Sequence, residues 1–223
     1  MTSTSPASAP GSRGRSSVPE PPDPFEPLIE TWPAGTGLYR VHSDRGEANA
    51  FNTGPLPQTR FAFFGDPEVP VLYAGATEVT AVAETILHDV PLTGGRVEAP
   101  AYLSRQSACL RPRRDLRLAQ FHSGGLMRLG IEALNLTDTA ASQYDRTVTW
   151  AEAVHANRDV DGLVWMSRRW NSSKSIVLFG DRVSRDDLSV EAGYGRVFAL
   201  PSDFDWLFDL CRTVGVSVAP PLI

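Results

Sequence analysis

The amino-acid sequence predicts an α+β domain, with short strands interrupted by helices. Three observations predict it. Short apolar runs of strand-type composition recur along the chain, and two long stretches carry apolar residues at 3–4 spacing. The two kinds of segment do not alternate in the regular order of a doubly wound sheet. At 223 residues, with 42% hydrophobic and 21% charged residues, the chain can bury the core of one domain.

Eight of the 18 prolines fall in residues 1–33, with few large apolar residues. Such a segment cannot bury enough surface to offset its ordering entropy. Residues 1–33 therefore read as a proline- and serine-rich, disordered extension whose end can dock through Phe25, Leu28, Ile29 and Trp32. Residues 34–223 read as a single domain.

Leu38–His42, Arg60–Phe64 and Val69–Ala74 are expected strands, with Pro70 at the start of the third, where a missing N–H matters least. The turn formers of residues 49–57 make a loop. Thr77 opens a helix with Glu78 in its first turn, a buried stripe of Val79, Val82, Ala83, Ile86 and Leu87, and an end at Pro91. Ala101–Leu110 and Leu116–Phe121 alternate as strands. Ser123-Gly124-Gly125 bends into a short helix around Leu126–Leu129. Ser142–Asn157 is the second long helix, with Tyr144, Val148, Ala151 and Val154 on one face. Asp161-Gly162 turns into a buried strand at Leu163–Met166, followed by strands at Ser175–Phe179 and Arg196–Leu200. A last helix opens with a capping box of Ser202 and Asp205 and closes at Gly215.

Composition excludes several functions. The formal charge of −5 gives no bulk attraction to nucleic acid or anionic membrane. No apolar run approaches the roughly 18 residues of a membrane span. Cys109 and Cys211 lie too far apart for a local metal knuckle. Among 21 basic residues the single lysine, Lys174, follows no Gly-rich loop, which weakens nucleotide triphosphatase and lysine-dependent lyase readings. His-Glu-x-x-His, Gly-x-Ser-x-Gly and Gly-x-Gly-x-x-Gly are absent.

Four residues admit a functional reading beside a bland one. Glu84 falls on a small helix face with Thr77, Thr80, Ala81 and His88, either a solvated surface or a cleft wall. Arg40 sits inside an apolar strand and needs an acid partner or an anion to fork, because a lone buried guanidinium is costly. Arg60 invites the same two readings. Ser167 ends an apolar strand, as a turn residue or a ligand contact. Arg168 and Arg169 beside it, and the cluster Arg111, Arg113, Arg114 and Arg117, read as solvated charge.

In order, Leu38-Tyr39-Arg40-Val41, Thr59-Arg60-Phe61 and Val71-Leu72-Tyr73-Ala74 resemble successive segments of the RES domain family. So do Ala81-Val82-Ala83-Glu84-Thr85-Ile86-Leu87-His88 and Asp161-Gly162-Leu163-Val164-Trp165-Met166-Ser167. The resemblance spans about residues 37–181, with Thr59 where the family commonly has glycine. It implies an ADP-ribosyltransferase-like fold, with short twisted sheets around a cleft flanked by helices. It further implies an NAD⁺-degrading toxin of a toxin–antitoxin pair, which cleaves the nicotinamide–ribose bond with phosphate or water as acceptor. Arg40, Glu84 and Ser167 carry over as catalytic residues, and Tyr39, Arg60 and Tyr73 as cofactor-binding ones. NAD⁺ is consumed as substrate, inorganic phosphate is the co-substrate of the phosphorolytic form, and no metal is required. The implied partner is a cognate Xre-type antitoxin, with a homodimer open. A cytoplasmic location without direct nucleic-acid or membrane binding is expected. The alternatives are a mono-ADP-ribosyltransferase acting on a host protein and an inactive NAD-binding module.

Overall fold

A computed structural model of the chain describes residues 17–54, 58–91, 93–157 and 159–221. The elements in chain order are β1 (Ile29–Trp32), β2 (Leu38–Ser43), β3 (Val71–Gly75), α1 (Glu78–Ala83) and β4 (Gly95–Val97). They continue with β5 (Arg105–Pro112), β6 (Leu116–Phe121), α2 (Gly124–Leu129), α3 (Tyr144–Ala156), β7 (Gly162–Met166) and β8 (Lys174–Phe179). The last are β9 (Leu188–Val190), β10 (Arg196–Val197), α4 (Pro201–Thr213) and β11 (Val216–Val218). The α+β class holds, but in place of several short sheets the described residues form one nine-stranded sheet, ordered β1-β6-β7-β8-β3-β2-β5-β10 with β9 also on β5. Only β6 and β7 run parallel in it, linked by a crossover that contains α2 and α3. A small parallel pair, β4 with β11, stands apart.

Strand alternation sorts the core into layers. Leu38, Leu72, Leu110, Leu118, Val164 and Ile176 face one way and pack together without any helical residue. The sheet thus bends over its own inner face, as its right-handed twist allows. The outer face carries two clusters. Trp150, Ala151 and Val154 of α3 pack over Val177, Leu163 and Trp165, whereas α1 and α4 meet around Val82, Leu207 and Cys211.

The Asp161-Gly162 pair builds the sheet. Asp161 accepts Arg114 through both carboxylate oxygens, at 2.7 and 2.9 Å, and the Arg117 N–H at 2.8 Å. A Cβ on Gly162 would stand 2.0 Å from the Val177 carbonyl, so only glycine lets β7 lie against β8 there. Arg114 is therefore an ion-pair brace rather than solvated charge.

Several expectations change. β1 and the segment before it belong to the folded unit: Ile29–Trp32 pairs with β6, Val18 is buried, and the Pro19 carbonyl accepts the Trp150 indole N–H at 2.8 Å. The composition-based boundary at residue 34 missed a strand too short to outweigh eight prolines. Residues 1–16 of the expected extension lie outside the described residues. Arg60–Phe64 is not a strand. Thr59 and Ala62 exchange backbone hydrogen bonds in a tight turn that buries Phe61 and Phe64 instead. The capping box of Ser202 and Asp205 is absent. Leu200 is the N-cap of α4, Pro201 supplies its pre-set first turn, and Asp203 turns back to accept the Val197 N–H at 2.9 Å. No helix among the described residues is long and apolar enough to cross a membrane.

Helix α1 is shorter than expected. Thr77 caps it, with Oγ1 accepting the Thr80 N–H at 3.1 Å, but it stops at Glu84, where the Ile86 and Leu87 N–H groups both turn back to the Val82 carbonyl. The face of Thr80 and Ala81, read as open, is pressed onto the sheet. A Cβ on Gly75 would lie 2.8 Å from the Ala81 nitrogen and 2.9 Å from the Thr80 Cβ. Gly75→Ala should therefore lift α1 and cost about 1–3 kcal/mol in a urea melt. An unchanged midpoint would show that the helix has slack there.

Candidate active site

At the end of β7 the ladder with β8 stops at the Met166–Lys174 pair, and Ser167 turns away fully buried. Its Oγ accepts the Trp170 N–H at 2.8 Å and donates to Glu84 Oε1 at 2.5 Å. The same Oε1 accepts the Arg169 N–H at 3.2 Å. Both bonds fall on one oxygen, so Glu84 Oε2 has no protein donor among the described residues. Two of the three residues expected to share a site, 83 positions apart, are in direct contact.

The turn after α1 is held from the turn that follows β7. Arg169 donates to the Val90 carbonyl at 2.6 Å and to that of His88, which fixes the segment following Glu84. Burial, with Arg168 beside it, lowers the Arg169 pKa below its ordinary value. Arg168 donates to the Thr139 carbonyl at 3.0 Å, and Arg60 reaches the same carbonyl at 3.2 Å while its guanidinium lies 5.4 Å from the Tyr144 ring centre. The Tyr73 hydroxyl meets Thr59 Oγ1 at 2.8 Å and accepts the Phe61 N–H at 3.3 Å. Burial pushes its pKa up to about 12, so it stays a neutral phenol. Arg60 and Tyr73 thus join Glu84 and Ser167 on the outer face of the sheet, with Arg168 exposed beside them, as its sequence reading had it, and Arg169 partly buried instead.

Arg40 takes a different place. It pairs with Ala108, on the inner face, whereas its neighbours Tyr39 and Val41 turn to the α1 side. Its guanidinium donates to the Ala48 carbonyl at 2.8 Å, to the Ala50 carbonyl and to Asn52 Oδ1 at 2.9 Å. Only 7% of Arg40 is exposed, and burial lowers its pKa to about 10, so it remains a cation at neutral pH. Neither the acid partner nor the free anion fork is realised. Neutral loop oxygens occupy the donors, and Arg40 pins residues 48–52 under the sheet. Tyr39 is also withdrawn from Glu84. It packs edge-on against Tyr194 at 5.4 Å, behind α1.

Four buried side-chain atoms among the described residues lack a hydrogen-bond partner: Arg60 Nε, Trp165 Nε1, Ser173 Oγ and Ser175 Oγ. Trp165, Ser173 and Ser175 lie on the strands and turn that carry Ser167, and Arg60 shares the Thr139 carbonyl with Arg168. Trp165 and Ser175 face each other across β7 and β8, Trp165 stands edge-on to Tyr73 at 6.3 Å, and the Ser173 carbonyl accepts the Ser167 N–H at 2.9 Å. Unpartnered buried donors and hydroxyls are rare and costly, and their gathering at one place suits a polar ligand.

A carboxylate braced by a serine at the end of a bent mixed sheet defines an α+β protein whose site comes from distant segments rather than from one loop motif. The family model described as RES domain matches residues 37–201, and the chain belongs to that family. One similar solved structure is the crystal structure of the M. tuberculosis MbcT–MbcA toxin–antitoxin complex. Its matching chain has 13% identity and a TM-score of 0.47, with 74% of this chain and 85% of that one covered. No curated protein matches the chain.

If Arg40 is a loop brace, Arg40→Lys should lower stability by about 3 kcal/mol and open residues 48–52 to limited proteolysis, because a lysine cannot reach three separated oxygens. A ligand-binding arginine would leave both measurements unchanged in the free protein.

Proposed function

We propose that this chain is an NAD⁺-consuming enzyme that cleaves the nicotinamide–ribose bond, with phosphate or water as acceptor. In this reading it is the toxin of a toxin–antitoxin pair, held in check by an Xre-type partner. The observation that carries the chemistry is the 2.5 Å bond from Ser167 to Glu84, which occupies one carboxylate oxygen and leaves the other available. Membership of the RES domain family supports a reading in which NAD⁺ is the substrate, and the bent sheet suits an ADP-ribosyltransferase-like fold.

In the reaction the bond from the ribose anomeric carbon to the pyridinium nitrogen breaks. Its electron pair neutralises the ring, so nicotinamide departs as a neutral base and needs no strong acid. Positive charge grows on the ribose, as in an oxocarbenium-like glycosidic transition state. Glu84 would stabilise that charge through Oε2 and accept from a ribose hydroxyl, with Ser167 and the Arg169 N–H fixing its other oxygen. The acceptor oxygen forms the new bond to the anomeric carbon, and water as acceptor releases one proton. Arg60 and Arg168 would hold pyrophosphate or incoming phosphate. The residues present fit NAD⁺ at their orphaned atoms: a carboxamide offers one acceptor and two N–H groups, which the Trp165 indole N–H and the Ser173 and Ser175 hydroxyls could complement.

Purified protein should deplete NAD⁺, and Glu84→Gln should reduce the rate about 10²–10³-fold. Product identification with and without phosphate assigns the acceptor. Free ADP-ribose indicates water, an ADP-ribose phosphate ester indicates phosphate, and ADP-ribosylated protein indicates transfer. Binding of NAD⁺ with no product under any acceptor would overturn the enzymatic reading.

Ser175→Ala tests the ligand fit by a second route. It removes a buried hydroxyl without a protein partner, so the free variant should gain about 1 kcal/mol of stability. Its KM for NAD⁺ should rise about tenfold. Destabilisation with an unchanged KM would show that the hydroxyl serves the fold.

A further inference from the structure

Glu78 begins the helix that Glu84 ends, and the reaction proposed above does not use it. Its side chain is only 11% exposed. Oε1 accepts the Ser107 hydroxyl at 2.5 Å, and Oε2 accepts the Tyr194 hydroxyl at 3.1 Å and the Arg196 Nε–H at 3.2 Å. The donors come from β5, the turn before β10, and β10 itself. Each is held in turn. Arg196 lies 4.3 Å from the Trp206 ring centre and 3.5 Å from an Asp203 oxygen, both on α4. Tyr194 is flanked by Tyr39, and its hydroxyl is pushed above the ordinary tyrosine range by burial and by Glu78, which keeps it a donor. Ser107, Tyr194 and Arg196 also line an open hollow of about 810 Å³ on the side of α1 away from Ser167.

This exceeds what starting a helix requires. Thr77 already serves the Thr80 N–H, and one carboxylate in the first turn would suffice for the macrodipole. A helix of six residues has almost no stability of its own, so its contacts decide where it lies. From Glu78 to Glu84 the helix rises about 9 Å as one rigid unit, and a shift or roll at its start moves its end.

We infer that Glu78 is a positioning residue: Ser107, Tyr194 and Arg196 lock its carboxylate, and the lock sets where Glu84 meets Ser167. The inference rests on the reading of Glu84 as the charge-stabilising group. Through Arg196 it also links α4, which touches no reacting group, to the geometry of the site.

Glu78→Gln in the full chain keeps the size of the side chain and removes its charge. The expected result is a kcat for NAD⁺ reduced about 10–100-fold, with KM within about threefold. Amide hydrogen exchange at Arg169 and Trp170 should speed up, because their N–H bonds depend on Glu84 and Ser167 staying in register. Tyr194→Phe should shift both readings in the same direction by less. The double variant should be no worse than Glu78→Gln, since both changes break one lock. A folded Glu78→Gln with wild-type kcat and wild-type exchange at both amides overturns the inference. If that variant does not fold, unchanged exchange in Tyr194→Phe overturns it instead. Absence of NAD⁺ turnover in the wild type would defeat the proposed reaction, and exchange at the two amides would still decide the lock.

Discussion

The approach of α1 to the sheet over Gly75 is the constraint on which the site depends. Backbone meets backbone there, with Ala81 and Thr80 seated where any other strand residue would place a Cβ. Because the helix lies so low, its end arrives level with the end of β7 two strands away in the sheet, and a carboxylate and a hydroxyl meet without a bridging side chain. A helix one side chain higher would leave Glu84 in water and Ser167 without an acceptor. Close packing converts that height into a discrete state, since a packed interface has few intermediate arrangements.

Most of the framework was legible from period and punctuation. The inner strands, the helix of Tyr144–Ala156 and the Thr77 cap follow from local patterns that the fold does not override. What failed shares a cause. β1 is hidden among prolines, the Arg60–Phe64 run is apolar because it turns into the core, and the Ser202–Asp205 spacing carries no information about which residue takes the cap. For β1 and the Arg60–Phe64 run long-range contacts decide, which local composition cannot report, whereas at α4 the choice falls to Pro201 at its first turn. For the site, residue type was more legible than placement. Glu84, Ser167, Arg60 and Tyr73 gather on one face. Glu78 escaped notice because an acid in a first turn already has an ordinary explanation.

Arg40 shows why pattern alone could not place the basic residues. Alternation put it on the same side as Leu38, and that side is the inner face of a sheet that bends over itself. A cation there is expensive, and the described residues offer no carboxylate to offset it. Three neutral oxygens from residues 48–52 take up its donors, and the loop closes over the strands in consequence. The charge organises the loop instead of waiting for a ligand, although an acid-free buried arginine looks the same in sequence under either role. Arg169 follows the same logic on the outer face. It is tied to two backbone carbonyls after α1 and keeps that turn from fraying away from Glu84.

The site forms where strand pairing runs out. Beyond Met166 the β7 backbone must find acceptors other than β8: Ser167 takes the Ser173 carbonyl and Trp170 the Ser167 hydroxyl, both within the turn, and Arg169 takes Glu84 from the distant end of α1. Each bond satisfies a buried backbone donor and at the same time orients a group with chemical use. The hydroxyl that caps the turn must spend its own proton on the carboxylate, so the turn geometry and the orientation of Glu84 are one arrangement rather than two. Nearby side chains are treated differently, with Trp165 Nε1, Arg60 Nε and two serine hydroxyls left unmatched. The N–H groups of Ser167, Arg169, Trp170 and Ser173 thus find partners at the sheet end, while side chains there and at Arg60 keep unmet polarity. That division is expected where the main chain must be rigid and the side chains must wait for a substrate.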